Sequence, residues 1–293
     1  MSVQSLAPSS NEGPSIVVNP ESLDRRRQQM LSLGWHKHEI AKFEASGLVQ
    51  DDALPVDFPG AGFWAAQNVI QVDGRVIRLQ ARMRNPWLAM LSGVLSDDEC
   101  DALIENARPR LKRSEIINTG DEAGAAIASY TRTSQSTFIS TRESELVARI
   151  ERRVAALLAW PVHNLEHIQI VRYGVGADFV PHHDYFDLDM VSSEALVQKG
   201  GHRIGSLLLY LNTPSYGGST MFSDVELDIL PRRGSALYFA YPVPDQSSMT
   251  LHSGAPVLEG EKWLATFFVR QSLMHHRPEL SEQSELVSGQ THG

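Results

Sequence analysis

The chain has 293 residues, 42% of them hydrophobic, and a formal net charge of −9 with a sequence pI near 5.6. This size allows one large buried core or two modest ones. An acidic chain lacks the overall positive field that drives sequence-independent nucleic-acid binding, so we expect no nucleic-acid partner. The lone cysteine, Cys100, excludes an intrachain disulfide and suits a reducing compartment, which predicts a cytoplasmic protein.

Both ends of the sequence lack periodic apolar patterns. Residues 1–20 are rich in Ser, Pro and Asn, and residues 276–293 are rich in Ser, Gln and Glu. We expect a disordered N-terminal tail and a flexible C-terminal tail. The sequence shows neither a signal-peptide pattern nor an apolar run of about 18 residues, so we expect no membrane segment.

An N-terminal extension, residues 21–85, is predicted to contain short helices and a hairpin. Asp73-Gly74 separates two β-rich runs and suits the positive φ angles of a type I′ turn. The main domain is predicted over residues 86–275. Its first helix should begin at Ser96, where Ser96-Asp-Asp-Glu99 has the capping-box pattern, and continue to about Ala107. A second helix is predicted from about Ser144 to Ala159, with an apolar stripe at Leu146, Ile150, Val154 and Leu158.

From residue 165 onward, helical spacing gives way to short β-rich runs between Gly and Pro turns. Eight short strands of this kind favour a sandwich or barrel, and a mainly β jelly roll with supporting helices is the predicted fold. The strands are predicted at 167–173, 178–184, 203–212, 219–222, 225–230, 235–240, 249–252 and 262–271.

The second predicted strand contains His182-His183-Asp184. Residues two apart on a strand point to the same face, so His182 and Asp184 should lie together while His183 points away. One imidazole and one carboxylate, completed by an imidazole from elsewhere, form the facial triad that leaves three positions open on Fe(II). Alone the triplet is weak, since a chain with 11 histidines often contains one by chance.

Eight sequence segments in a fixed order extend this signal over about two thirds of the chain. Together they resemble the prolyl 4-hydroxylase-like family of Fe(II)- and 2-oxoglutarate-dependent dioxygenases, whose fold is the double-stranded β-helix, or jelly roll. The segments are Leu95–Cys100, Ala107–Ser114, Arg132–Ser134, Tyr173–Phe186, Arg203–Asn212, Gly217–Thr220, Pro231–Gly234 and His252–Trp263.

The resemblance implies an iron site and a cosubstrate site. The metal ligands of the family match His182, Asp184 and His252, and the family's basic residue for the distal carboxylate of 2-oxoglutarate matches Lys262. A buried ammonium there would compensate a buried carboxylate. The implied cofactors are Fe(II), 2-oxoglutarate and O₂, with ascorbate as a candidate reductant.

Four further positions receive roles through the resemblance. Tyr173 and Thr220 match positions whose hydroxyls assist 2-oxoglutarate, although a packed sheet aromatic and a plain strand residue are the alternative interpretations. Arg203 matches a position on the rim of the site that faces substrate, and Arg132 lies in a segment used near bound peptide. A surface ion pair is the alternative for both arginines.

The predicted reaction is hydroxylation of an unactivated C–H bond with release of succinate and CO₂; desaturation or cyclisation is an open alternative. The substrate is either a small amino-acid-derived molecule, such as a cyclic dipeptide or free amino acid, or a prolyl residue of a peptide or protein. Phe179 and Phe268 stand where the family commonly has tyrosine and tryptophan, which slightly favours the small molecule. Oligomeric state is not predicted.

Two other classes of function stay open. The barrel could be a metal- and 2-oxoglutarate-binding sensor that does not turn over, or a jelly-roll metalloenzyme that uses another metal and no cosubstrate. An intact triad with Lys262 argues against a sensor, because a pure binding scaffold has no need for open iron positions beside a cosubstrate anchor.

Overall fold

A computed structural model describes residues 58–64, 68–117, 126–128, 133–186, 193 and 196–274. They fall within one unit, Asp57–Gly293. Both predicted tails, and the predicted extension before residue 58, lie outside the described residues.

Short strands dominate the described chain, and two longer helices accompany them. The helices are α1 (Asp97–Ala107) and α2 (Glu145–Leu158). The strands are β1 (Val69–Val72), β2 (Arg75–Arg84), β3 (Trp87–Ser92), β4 (Lys112–Arg113), β5 (Glu115–Ile117), β6 (Ala126–Ala128), β7 (Gln135–Ile139), β8 (Ile168–Tyr173), β9 (Phe179–His182), β10 (Arg203–Tyr210), β11 (Tyr216–Gly217), β12 (Thr220–Phe222), β13 (Leu227–Ile229), β14 (Ala236–Ala240), β15 (His252–Gly254), β16 (Val257–Glu259) and β17 (Lys262–Arg270). Single 3₁₀ turns lie at Ala61–Trp64, Arg108–Arg110, Val162–Asn164, Ser223–Val225 and Gln246–Ser248.

The strands form one large and one small antiparallel sheet. The large sheet has the order β1-β2-β3-β14-β10-β17-β8-β7-β4, and the small sheet has the order β13-β12-β15-β9. Strands β11 and β16, and strands β5 and β6, form two-stranded pairs. A sheet order this different from chain order, with crossings between two sheets, confirms the predicted jelly roll.

The core lies between the two sheets. Leu208 and Leu264 of the large sheet and Phe222 and Ile229 of the small sheet belong to one buried cluster. Alternate residues of each strand point inward, so the same inward faces that form this core also supply the walls of a pocket.

Both helices begin where the sequence predicts. The Ser96 side chain accepts from the Glu99 backbone N–H, and the Glu99 carboxylate accepts from the Ser96 N–H, which completes the capping box of α1. Ser144 caps α2, which ends at Ala159 in the left-handed conformation. The predicted hairpin is also present, with positive φ angles at Asp73 and Gly74.

The predicted strand at 249–252 is wrong. Gln246–Ser248 form a 3₁₀ turn capped by the Asp245 side chain, and Met249 adopts a φ of 51°, so β15 begins only at His252. Strands β3, β4, β5, β6, β7, β11 and β16 were not predicted. Strand β2 pairs with β3 within the large sheet, so the predicted domain boundary at residues 85 and 86 falls inside a hairpin. No helix in the part of the chain that the structure describes is long and apolar enough to cross a membrane.

Candidate metal centre

A pocket opens between the two sheets. Strands β8, β10 and β17 supply one wall, and β9, β12 and β15 supply the opposite wall. The lining residues are Gln169, Val171, Tyr173, Phe179, His182, Asp184, Leu208, Thr220, His252, Ser253, Gly254, Lys262, Leu264, Thr266 and Phe268. Six of the eight predicted site residues are among them.

Strand pairing brings the two histidines of the predicted triad together. His182 ends β9 and His252 begins β15, and these residues are directly opposite each other in the antiparallel pair. With Asp184 they form a cluster whose ligand atoms all lie within 4.8 Å of one another. Seventy residues of sequence separate the histidines, so the sheet rather than local spacing creates the cluster.

Asp184 reaches this cluster in a way that the sequence interpretation did not foresee. We expected His182 and Asp184 on one strand, but β9 ends at His182 and Asp184 follows it outside the strand. Two residues of β10 hold it instead. The Ser206 hydroxyl donates to Asp184 Oδ2 at 2.7 Å, and an Arg203 Nη1–H donates to the Asp184 carbonyl at 3.1 Å.

Backbone carbonyls fix the tautomer of both imidazoles. His182 Nδ1 lies 2.9 Å from the Val180 carbonyl, and His252 Nδ1 lies 3.0 Å from the Thr250 carbonyl. A carbonyl can only accept, so each Nδ1 carries the proton and each Nε2 has the lone pair that can bind a metal. Both Nε2 atoms face the Asp184 carboxylate, at 3.6 and 3.7 Å. These separations are too long for direct hydrogen bonds and fit donors that share an ion.

Asp184 is held as a carboxylate. It is only 8% exposed, and burial alone would raise its pKa, but the imidazoles of His252 and His182 and the Ser206 hydrogen bond outweigh burial and lower it. Two imidazole nitrogens and one carboxylate are the donor set of the Fe(II) facial triad, so the residues present fit iron.

Lys262 lies at the start of β17 with its side chain in the same pocket. It is 2% exposed and forms no ion pair with any described residue. Its Nζ has only long contacts, 3.5 Å to the Ser219 carbonyl and 3.4 Å to the Thr220 hydroxyl. Burial lowers the pKa of Lys262 to about 7, against a weaker opposing effect of Asp228. A buried ammonium with this environment is a binding site for an anion.

Tyr173 and Thr220 both lie beside Lys262. Tyr173 is directly opposite Lys262 in the β8–β17 pair, and Lys262 Nζ lies 5.5 Å from the centre of its ring. Thr220 Oγ1 accepts a hydrogen bond from Tyr210 Oη at 2.9 Å. The structure therefore places both predicted cosubstrate residues at the lysine end of the pocket, where their roles stay predictions.

The two positions that depart from the family pattern also line the pocket. Phe179 stacks on the His182 ring, with ring centres 3.7 Å apart. Phe268 lies under the Arg203 guanidinium, whose central carbon is 3.6 Å from the ring centre. Each phenyl ring therefore presents an apolar surface close to the cluster or to the residue that supports it.

Of the two predicted substrate arginines, the described residues include only Arg203, which does not line the pocket. Arg203 forms a two-point ion pair with Glu166 at 2.7 and 2.8 Å and binds the Asp184 carbonyl, so its guanidinium faces protein groups behind the site. Arg132 lies outside the described residues.

Sequence reasoning missed three residues behind the cluster. Glu166 pairs with both Arg203 and Arg270, and Ser206 links Asp184 to Tyr241 Oη, which lies 2.9 Å from the serine hydroxyl. Ser206 had a signal that could have been used. It is a single hydroxyl in the apolar run Ile204–Leu209 on a strand that is predicted to be buried, and buried hydroxyls need a partner.

Comparison with known proteins agrees with this geometry. The 2OG-Fe(II) oxygenase superfamily matches residues 168–270. Probable prolyl 4-hydroxylase 8 of Arabidopsis thaliana is 36% identical over 210 residues, which cover 61% of this chain and 70% of the relative. Probable prolyl 4-hydroxylase 7 of the same plant is 34% identical over 204 residues, which cover 63% of this chain.

Among solved structures, the viral collagen prolyl hydroxylase of Paramecium bursaria Chlorella virus-1 matches with a TM-score of 0.49 and 28% identity. The match covers 62% of this chain and 94% of that one. The chain spans 62% of the length of probable prolyl 4-hydroxylase 7, less than two thirds. On the match to the 2OG-Fe(II) oxygenase superfamily and the 36% identity to probable prolyl 4-hydroxylase 8, the chain belongs to the prolyl 4-hydroxylase-like family of Fe(II)- and 2-oxoglutarate-dependent dioxygenases.

Proposed function

We propose that this chain hydroxylates a prolyl residue of a peptide, using Fe(II), 2-oxoglutarate and O₂. In the overall reaction, one oxygen atom of O₂ enters the substrate as a hydroxyl group. The other enters succinate as 2-oxoglutarate loses CO₂. Bound Fe(II) supplies the activation of O₂ that couples these two oxidations.

The observation that carries the proposal is the pairing, in one pocket, of a His–Asp–His cluster and a buried lysine without an acidic partner among the described residues. Burial of an unpaired ammonium costs several kcal/mol, and a packed core has no reason to keep it. A dicarboxylate that reaches from the metal to Lys262 would supply the missing negative charge. The cluster alone would fit several metalloenzymes, but the cluster with Lys262 fits a keto-acid cosubstrate.

Each pocket residue then has a physical role. His182, Asp184 and His252 would hold the metal and leave open positions for cosubstrate and O₂. Lys262, with the Thr220 hydroxyl beside it, would bind the distal carboxylate, and Tyr173 would close that end of the pocket. The apolar walls beside the cluster would exclude water from the reacting groups and position the target C–H bond near the metal.

Two relatives support the proposed substrate class. Both Arabidopsis relatives are described as probable prolyl 4-hydroxylases, and C4 of a prolyl residue is therefore the proposed position of attack. A saturated five-membered ring offers no charge or strong hydrogen bond for recognition, so apolar walls suit it. Phe179 and Phe268 supply such walls next to the cluster.

A small amino-acid-derived substrate is the second candidate. The same two phenyl rings favour it, because a pocket that has lost a phenol and an indole has fewer groups with which to hold a peptide backbone. A cyclic dipeptide that contains proline would present the same ring without a chain that extends beyond the pocket.

The decisive experiment is succinate formation by protein reconstituted anaerobically with Fe(II) and then exposed to O₂ and 2-oxoglutarate. The candidate substrates are proline-containing peptides, matched peptides with alanine in place of proline, free amino acids and cyclic dipeptides. We expect turnover stimulated by the proline peptides, with 4-hydroxyproline in the product by mass spectrometry and amino-acid analysis.

His182→Ala is the control, since it removes one metal ligand and should abolish the stimulated succinate. Stimulation by cyclic dipeptides alone would transfer the proposal to the small-molecule class. Tight binding of metal and 2-oxoglutarate without stimulated turnover would favour the sensor, and failure to bind both would contradict the proposal as a whole.

A further inference from the structure

The carboxylate of Asp184 is attached to the fold by a chain of hydroxyl groups that runs into the core. Ser206 Oγ lies 2.7 Å from Asp184 Oδ2, and Tyr241 Oη lies 2.9 Å from Ser206 Oγ. Ser206 and Tyr241 are both fully buried, and Ser206 lies on β10 while Tyr241 directly follows β14.

The number of available protons fixes the direction of the hydrogen bonds among Tyr241, Ser206 and Asp184. A serine hydroxyl has a single proton, and the carboxylate can only accept, so Ser206 donates to Asp184. The Ser206 oxygen must then accept from Tyr241, which donates its phenolic proton. Burial also raises the pKa of Tyr241 well above its usual range, which keeps that proton in place. Tyr241 therefore donates to Ser206, and Ser206 donates to Asp184 Oδ2.

Asp184 needs such an anchor more than the two histidines do. His182 and His252 lie on paired strands, and backbone carbonyls fix their rings, whereas Asp184 follows the end of β9. A carboxylate on a free rotor can present one oxygen or both to a metal. Oδ1 lies 3.6 Å from His182 Nε2 and Oδ2 lies 3.7 Å from His252 Nε2, so both oxygens face the cluster. Among the described residues only Oδ2 accepts a hydrogen bond, from Ser206, which leaves Oδ1 as the oxygen whose lone pairs are open to a metal.

We propose that Ser206, held by Tyr241, is a positioning residue that makes Asp184 a one-oxygen metal ligand. The inference rests on the proposed function, because it presumes that the cluster binds a metal. Its consequence is that the metal keeps three open positions, two for a keto acid and one for O₂, instead of losing one to the second carboxylate oxygen. Outer hydrogen-bond partners of this kind typically contribute 10- to 100-fold in metal affinity.

The test measures Co(II) and Mn(II) binding by the full chain, without 2-oxoglutarate or substrate, using calorimetry and the visible absorption bands of bound Co(II). We expect Ser206→Ala to bind both ions roughly 10- to 100-fold more weakly. The Co(II) absorption bands should also change to those of a Co(II) ion with a higher coordination number. Ser206→Thr, which keeps a hydroxyl group, should restore the wild-type spectrum, and Tyr241→Phe should show a smaller loss of affinity in the same direction.

Ser114→Ala is the matched control, because Ser114 is also fully buried, its hydroxyl contacts Ser134 Oγ at 2.9 Å, and neither serine lines the pocket. The proposal is overturned if Ser206→Ala and Tyr241→Phe both leave affinity and spectrum unchanged, or if Ser114→Ala weakens binding equally. Wild-type protein that binds neither ion would overturn the proposed function itself, so the two failures are distinguishable.

Discussion

Two buried cations of this protein have opposite surroundings. Arg153 on α2 is 3% exposed and donates to Glu99 at 2.7 and 2.8 Å, to Asp73 at 2.8 and 3.1 Å and to the Val94 carbonyl. Lys262 is equally buried, at 2%, and has no acidic partner among the described residues. The charge of Arg153 is therefore balanced by groups of the fold, whereas the charge of Lys262 would be balanced only by a bound ligand.

The two sites also differ in how burial acts on ionisation. At Glu99, burial alone would raise the pKa, but hydrogen bonds from Arg153 and Ser96 outweigh it and lower the pKa to about 2. At Lys262 burial dominates and lowers the pKa to about 7. A paired buried charge therefore stabilises the fold, and an unpaired buried charge marks a binding site.

Removal of Arg153, the paired cation, should give the largest effect on stability. Arg153→Met leaves the Glu99 carboxylate buried without its partner, which typically costs about 3–5 kcal/mol. We expect urea unfolding to show that loss in the free energy of unfolding. The Kd for 2-oxoglutarate of the protein that remains folded should stay within about twofold of wild type, because Arg153 does not line the pocket. A large loss of cosubstrate affinity would mean that the two cations are not independent.

For Lys262, the unpaired cation, we expect the reverse result: a loss of ligand affinity and a gain in stability. Lys262→Met should weaken 2-oxoglutarate binding at least 100-fold, or about 3 kcal/mol, since a buried carboxylate loses its counter-charge. The same change should stabilise the ligand-free protein by up to about 4 kcal/mol at pH 7, because the cost of discharging the lysine disappears. Calorimetric titration and urea unfolding measure the two effects. Destabilisation with unchanged affinity would assign Lys262 to the core.

The pH dependence sharpens this contrast. The folded, ligand-free chain loses the Lys262 proton near pH 7, whereas the unfolded chain keeps it to about 10.5. The unfolded state therefore binds more protons in this window, and stability should rise with pH between those values. Affinity for 2-oxoglutarate should change in the opposite direction and weaken by up to about tenfold per pH unit above 7, since binding requires the ammonium.

Lys262→Arg is the control for this slope. An arginine keeps its charge at every pH tested, so its affinity for 2-oxoglutarate should be independent of pH above 7. An identical slope in Lys262→Arg would place the titrating group elsewhere in the site.

The sequence predicts local features of this molecule well. The capping box of α1 and the Asp73-Gly74 turn are encoded within four residues, and both are present as expected. The strand predicted before His252 failed because a side-chain cap at Asp245 and a left-handed Met249 override its β-rich composition. Strand β3 was missed because both of its faces are covered, so Leu88, Ala89 and Leu91 show no alternation of apolar and polar residues.

Residue spacing alone did not identify the complete site. The resemblance to a known family was needed to assign His252 and Lys262 to it. His252 meets His182 through the pairing of β9 with β15, a contact between residues 70 positions apart that no local pattern encodes. The support of Asp184 by Ser206 and Arg203 depends on the position of β10 beneath it. The sequence therefore indicated which side chains are the candidate metal ligands, whereas the residues that position those ligands are known only from the tertiary structure.

The smallest expected effect tests whether Thr220 belongs to the ligand or to the core. Its hydroxyl accepts from Tyr210 at 2.9 Å and lies 3.4 Å from Lys262 Nζ. Thr220→Val keeps the shape but removes the acceptor, so we expect a loss of about 1–2 kcal/mol in stability and roughly three- to fivefold in 2-oxoglutarate affinity.

Tyr210→Phe separates the two contributions, because it removes the phenol that Thr220 satisfies. In the double variant Thr220→Val/Tyr210→Phe no buried phenol lacks a partner, so most of the lost stability should return. Affinity for 2-oxoglutarate should stay reduced if Thr220 contacts the cosubstrate directly. Recovery of affinity together with stability would show instead that Thr220 serves the core, and that Lys262 alone carries recognition at this end of the pocket.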